Sequence, residues 1–251
     1  MAPSSDFDAA AWKKVCKRLG LESSAVGVKY STKPPEGIER LDHKKRLCEM
    51  LRYAQEGNAF YAGTEDHLCG AGLYSLGKDL LPVYTSGEYG AGLEFFDSPR
   101  AASRLYDHIP RLEARRAIEY VALAPLDKVE YNPDLLIVAA REEQAEVLLR
   151  AMSYSTGKMW TSKSTGVIGC AWLFVYPYVT GELNFTPVLS LGMRALKVFE
   201  PGRFLISIPF DMLPGMLESL RKMPMTLPAL RPGGEAFRTR LLKRLGLDPS
   251  R

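Results

Sequence analysis

The chain opens on apolar positions at helical spacing. In SDFDAAAWKKVCKRLGL, Phe7, Trp12, Val15, Cys16 and Leu19 form one stripe, which predicts a first helix capped by Asp8 or Asp6 and stopped by Gly20. AVGVKYS, residues 25–31, predicts a short strand before a loop containing Pro34 and Pro35. HKKRLCEMLRYAQEG then places Leu47, Met50, Leu51 and Ala54 on one helical face, with Cys48 beside it and Gly57 past the end.

The stretch AGLYSLGKDLLPVYTSGEYGAG is rich in glycine and reads as loop with short strand or helical turns. A helix over 98–106 follows, with Pro99 in its favoured first turn. AIEYVALAPL and PDLLIVAA are apolar runs bounded by prolines and predict buried strands, partnered by the helix EEQAEVLLRAMSYSTG that ends at Gly157. The last third predicts an aromatic strand in GVIGCAWLFVYPYV, a polar turn at TGELNFTP, a strand in RFLISIPF and a helix in DMLPGMLESLRKM. Pro214 and Gly215 set that helix's start at Asp211 or weaken its first turn. A basic amphipathic helix over 235–245, carrying Arg238, Arg240, Lys243 and Arg244, is expected to dock with one face in solvent.

The order of these signals recurs. A strand, a helix with a tyrosine near its end, a glycine, a polar loop, a cysteine and Ser-Leu-Gly occur twice, and Tyr53 and Cys69 have the same separation as Tyr154 and Cys170. The expectation is an α/β or α+β fold with mixed sheets, a single domain over 1–251. Its two pseudo-repeated strand-helix-strand halves would span 12–110 and 119–222, with a basic C-terminal helix and tail over 232–251.

Composition narrows the class. The 251 residues, 46% hydrophobic and 25% charged, are enough to bury a large core, so a disordered or fibrous chain is excluded. With 33 basic and 29 acidic residues interspersed, the formal charge of +4 gives no argument for nucleic acid. The N-terminus lacks the basic and apolar regions of a secretory signal. The longest apolar run, 13 residues from Val167, contains Pro177 and falls short of the roughly 20 needed to span a bilayer. A cytoplasmic protein with no membrane partner is expected, its four cysteines being thiols or ligands rather than disulfides.

Three of those cysteines form a candidate site. Cys48 follows Lys44, Lys45 and Arg46 near a helix start, where dipole and cations would favour a thiolate, and Cys69 and Cys170 sit beside glycines that allow close backbone approach. Three thiolates suit an iron-sulfur cluster or zinc with an open position for substrate or redox chemistry. His67 would be a fourth ligand, oriented by Asp66 or Glu65. Each cysteine has the alternative of simple burial, and Cys16, on the first helix's apolar stripe, is assigned to the core. A competing class is a non-metal module holding an anionic small metabolite between the halves through Lys29 and Arg194, with Asn184 and Ser190 nearby. A thiol enzyme with Cys48 as nucleophile would need His67 as its base. Three histidines without G-x-S-x-G, a Walker lysine or G-x-G-x-x-G give the common hydrolase and nucleotide templates no support.

The ordered strings VGVKY, RLCEMLRYAQEG, HLCGAG, LAPLDK, PDLLIV, Tyr-Ser-x-Gly, the Gly-Cys at Cys170 and SLGMR resemble the bacterial and archaeal domain-of-unknown-function family 169, from about Trp12 to Leu220. The resemblance implies that Cys48, Cys69 and Cys170 act together and that Cys16 does not. It also implies a further cysteine where this chain has Met193, which leaves His67, a small ligand or an open position as the fourth partner. It implies no reaction.

Overall fold

The computed structural model describes residues 7–112 and 118–248. Helix α1 (Ala9–Leu19) starts where the Asp8 carboxylate accepts from the Ala11 N–H at 2.8 Å and ends at Gly20 in the left-handed region. Asp6, the other candidate cap, lies outside the described residues.

One six-stranded sheet organises the fold. Strands β1 (Val26–Ser31), β2 (Phe60–Gly63), β3 (Tyr120–Pro125), β4 (Leu135–Ala140), β5 (Asn184–Pro187) and β6 (Phe204–Pro209) lie in the order β2-β3-β1-β4-β6-β5. Every neighbouring pair is antiparallel, so the expected mixed sheet is corrected to an antiparallel one in an α+β fold. Each set of three strands places its first strand in sequence innermost, its second at the edge and its third between them.

Alternation along the strands sorts the core into two layers. Val28 and Tyr30, Val121 and Leu123, Leu135 and Ile137, and Leu205 face a first layer that includes α2 (Leu47–Gln55). Leu136, Val138, Ile206 and Ile208 face the opposite layer, built with α1, α7 (Glu142–Ser153) and α10 (Leu213–Lys222). Because β4 is buried on both faces, its sequence is apolar throughout, as expected for an innermost strand.

The glycine-rich stretch forms α3 (Gly70–Ser75), α4 (Pro82–Thr85) and α5 (Glu88–Gly92), followed by α6 (Pro99–Tyr106) with Ser98 as cap. The expected aromatic strand is corrected. Ala171–Val175 is a π-helical turn that runs into α8 (Tyr176–Thr180), with Pro177 in the first turn of α8. All five π-helical residues are buried, so their apolar character reflects enclosure rather than a strand. The predicted polar turn contains β5, and the segment after it forms α9 (Leu191–Ala195).

Pro214 lies at the start of α10, where a missing N–H costs nothing. α11 (Gly234–Arg244) contrasts with the docked helix expected: Gly234 is its one buried residue, and Phe237 is exposed. No helix among the described residues is long and apolar enough to cross a membrane.

Candidate functional site

A backbone clamp assembles the site. Lys45 N–H donates to the Asp66 carbonyl at 3.0 Å, and Leu68 N–H donates to the Lys45 carbonyl at 3.0 Å, so the His67 strip runs parallel to the approach to α2. This draws the loop carrying His67 and Cys69 onto the turn that begins α2 and carries Cys48. Gly72 allows the close fit: a Cβ there would stand 3.3 Å from Leu47 Cβ and 3.6 Å from His67 Nδ1.

On the other side, α3 packs against the π-helical turn. Ser75 Oγ lies 3.5 Å from Cys170 Sγ and donates to the Ala71 carbonyl at 2.9 Å. Gly169 N–H donates to Ser190 Oγ at 3.2 Å, and a Cβ on Gly169 would come within 2.6 Å of Ser190 Cβ. Only glycine lets the chain preceding Cys170 lie this close to α9. Tyr30 in β1 donates its hydroxyl to the Phe174 carbonyl at 2.6 Å, which fastens the π-helical turn to the sheet.

The three candidate cysteines therefore share one neighbourhood. Cys48 and Cys170 are buried, Cys69 is half-buried, and Cys170 lies near enough to both other sulfurs to feel their charge. Burial pushes the Cys48 thiol up to about 11, with the Cys69 charge adding to the shift. Cys170 is pushed up to about 12, again chiefly by burial, despite the Ser75 hydroxyl. The thiolate expected at Cys48 is thus corrected: loss of hydration outweighs the backbone N–H groups at the helix start that favour the anion. Among the described residues, no three His, Cys, Asp or Glu side chains stand in a ready-made metal-ligand group. Cys48 and Cys170 are thus raised, buried thiols, with Cys69 at the half-buried edge of the same neighbourhood.

His67 is its most unusual member. The ring is 8% exposed, and neither nitrogen has a hydrogen-bond partner. Burial lowers its pKa to about 4, against the pull of Asp66 and Glu65, so the ring is neutral at pH 7. Those two carboxylates do not orient it. Arg40 holds both, and Asp66 also accepts from the Gly63 N–H at 2.8 Å. A neutral imidazole with an unpartnered lone pair, on the same loop as Cys69, is a donor type that soft or borderline metal ions accept.

The other candidates separate. Cys16 lies against the second core layer, its thiol raised to about 12 by burial, apart from the trio. Lys29 donates to Asp134 Oδ1 at 2.8 Å on a β1 position that alternates away from the first layer, whereas Arg194 is exposed on α9 next to Met193 of that layer. No contact between them exists among the described residues to close an anion site. Asn184 instead braces the fold, donating to the Trp172 carbonyl at 2.8 Å and accepting from Lys163 N–H at 2.9 Å.

Equal spacing also misled about Cys69 and Cys170. Strand β2 lies between Tyr53 and Cys69, and no strand lies between Tyr154 and Cys170. By position along the sheet, Cys48 and Cys170 each sit at a helical start between an innermost and an edge strand. Cys69 and Ser190 each cap the helix that follows an edge strand. Tyr30, Ser75 and Ser190 are the site residues that sequence reasoning passed over or assigned elsewhere. The two serines were legible only as members of the two Ser-Leu-Gly strings.

The fold is a mixed helix-sheet protein with one antiparallel sheet, one face of which carries the buried Cys48 and Cys170 with the half-buried Cys69 nearby. The chain belongs to domain-of-unknown-function family 169, described as an uncharacterised ArCR family, which matches residues 14–219. An uncharacterised protein of Methanocaldococcus jannaschii is 28% identical over 215 residues, covering 83% of this chain and 91% of that protein. No solved structure matches the chain.

Proposed function

We propose that the protein binds a thiolate-held metal centre, a zinc ion or an iron-sulfur cluster, through Cys48, Cys69 and Cys170, with His67 as the fourth donor. The observation that carries this reading is His67, buried and neutral with both ring nitrogens unpartnered beside the first turn of α2. Leaving such a group unsatisfied costs about 1–3 kcal/mol, and coordination through one nitrogen would offset part of that cost. Three cysteines and a histidine suit a closed tetrahedral zinc site, whereas three thiolates with the imidazole withdrawn leave a position for substrate or redox chemistry. The reading places the protein in a reducing compartment such as the cytoplasm, where free thiols persist.

The raised thiol pKa values give the proposal a pH signature. Metal must displace the thiol protons, so loading weakens as pH falls. Anaerobic purification with metal analysis and visible absorption tests the reading, followed by reconstitution with zinc or with iron and sulfide. Stoichiometric metal, lost when the three cysteines become serine, is the expected result. A wild-type protein that stays colourless and metal-free after both reconstitutions would sink it.

A further inference from the structure

Near the cysteine cluster runs a groove of 540 Å³ between the outer face of α2 and the chain that leaves α9. Leu68, one residue from both His67 and Cys69, forms part of its floor, so it shares the backbone clamp but not the donor set.

Its charges are unevenly satisfied. Arg46 is held by Glu49 at 3.2 Å, Arg52 by Glu56 at 2.9 Å, and Glu200 by Arg203 at 2.5 Å. These pairs account for each carboxylate on the wall. Lys44, Lys45 and Lys197 have no carboxylate partner among the described residues, and all three line the groove. Lys45 Nζ lies 4.5 Å from the centre of the Tyr53 ring, which leaves its charge uncancelled. Lys197 takes φ +50°, a left-handed conformation that glycine would adopt more easily, as the chain turns from α9 along the wall. Its N–H donates to the Arg194 carbonyl at 3.1 Å, which fixes that turn.

We propose that this groove binds a phosphorylated small molecule carrying at least two negative charges, with Lys44, Lys45 and Lys197 as its cationic contacts. Lysine ammoniums act as point charges that suit phosphate oxygens without requiring one planar geometry. The groove's volume falls within the range of small-molecule sites. A lone carboxylate would leave two of the three cations unmatched, whereas a diphosphate can meet all three. The proposal does not rest on the metal centre, because none of its three cations is a proposed ligand.

Titration calorimetry on the full chain at low salt, with inorganic pyrophosphate and inorganic phosphate as probes, tests it. A single-stranded thymidine oligonucleotide is the competing arm. The expected result is saturable pyrophosphate binding that is tighter than phosphate binding and weakens as salt rises. K44A/K45A and Lys197→Ala should each weaken it at least about tenfold, with thermal melting unchanged because these side chains are partly or fully exposed. Lys222→Ala on α10 should leave it unchanged. Absence of saturable pyrophosphate binding, or an equal loss in the Lys222→Ala control, would overturn the proposal. Tighter binding of the oligonucleotide would overturn it too, making the groove part of a nucleic-acid surface. Repeating the titration after chelation separates this site from the metal reading, since groove binding should persist.

Discussion

The two faces of the sheet are built from the same strands and differ in what covers them. The face shared by α1, α7 and α10 is a layer of Leu, Ile, Val, Met and Ala around Trp12, and Cys16 only packs at its edge. The opposite face holds Cys48, Cys170, the π-helical turn and, at its rim, an imidazole without partners. Aliphatic packing needs only volume and shape, so the aliphatic face carries stability with little buried polar surface, the unpartnered Trp12 Nε1 being an exception. The thiol face keeps buried groups that would be cheaper as hydrocarbon. The two faces thus differ chiefly in the thiols and the imidazole that one of them holds.

The largest expected effect lies on the aliphatic face. Leu148→Ala, at a fully buried position of α7, should cost about 2–5 kcal/mol in denaturant unfolding. A much smaller loss would mean that this layer is not the main support.

On the thiol face the first test is acid. Above pH 6.5 both folded and unfolded states hold a neutral His67; between 6.5 and about 4 the unfolded chain takes up a proton that the folded chain resists. Stability should therefore fall as pH drops through that window, by on the order of 3 kcal/mol from this residue. His67→Leu should abolish that part of the pH dependence in metal-free protein. The same substitution should raise stability at pH 7 by about 1–3 kcal/mol, since it removes two unsatisfied buried nitrogens. A destabilised His67→Leu protein with wild-type acid sensitivity would show that the ring is an ordinary packed residue.

A smaller effect is expected at Gly169→Ala, whose new methyl group would collide with Ser190. A loss of about 1–3 kcal/mol, relieved by Ser190→Gly in the double variant, would confirm that the approach of these two segments is what the glycine permits. The smallest effect belongs to Asp8→Ala, which removes the cap of α1 and should cost about 1 kcal/mol in thermal unfolding.

Much of the aliphatic face was legible in the sequence. α1 has a helical stripe with a cap and a left-handed glycine at its ends, and β4, which contributes Leu136, Val138 and Ala140 to this face, is an apolar run that follows Pro133. The thiol face was harder to read for physical reasons. The 171–175 segment is buried on all sides, so it shows no periodicity by which helix and strand could be told apart. β2 and β5 each have only four residues, too few for a pattern to emerge. Cys48 appeared primed as an anion because flanking charges are visible in sequence and loss of water is not. The grouping of Cys48, Cys69 and Cys170 was readable as candidate chemistry, while the unpartnered state of His67 depended on Arg40 capturing both nearby carboxylates. The three groove lysines lie 44 to 197 along the chain and acquire common meaning only once α9 passes α2.

The π-helical turn sets the angular position of Cys170. An α-helix advances each residue by about 100° around its axis, whereas the wider turn accommodates one extra residue before returning to the same side. The Tyr30 hydroxyl grips the Phe174 carbonyl from the sheet, so the excess cannot slide out at the α8 end without breaking that bond. Shortening 171–175 by a single residue would regularise the winding and swing the cysteine away from Ser75. The turn therefore links two anchored points, the Cys170 contact with Ser75 and the Phe174 carbonyl held by Tyr30.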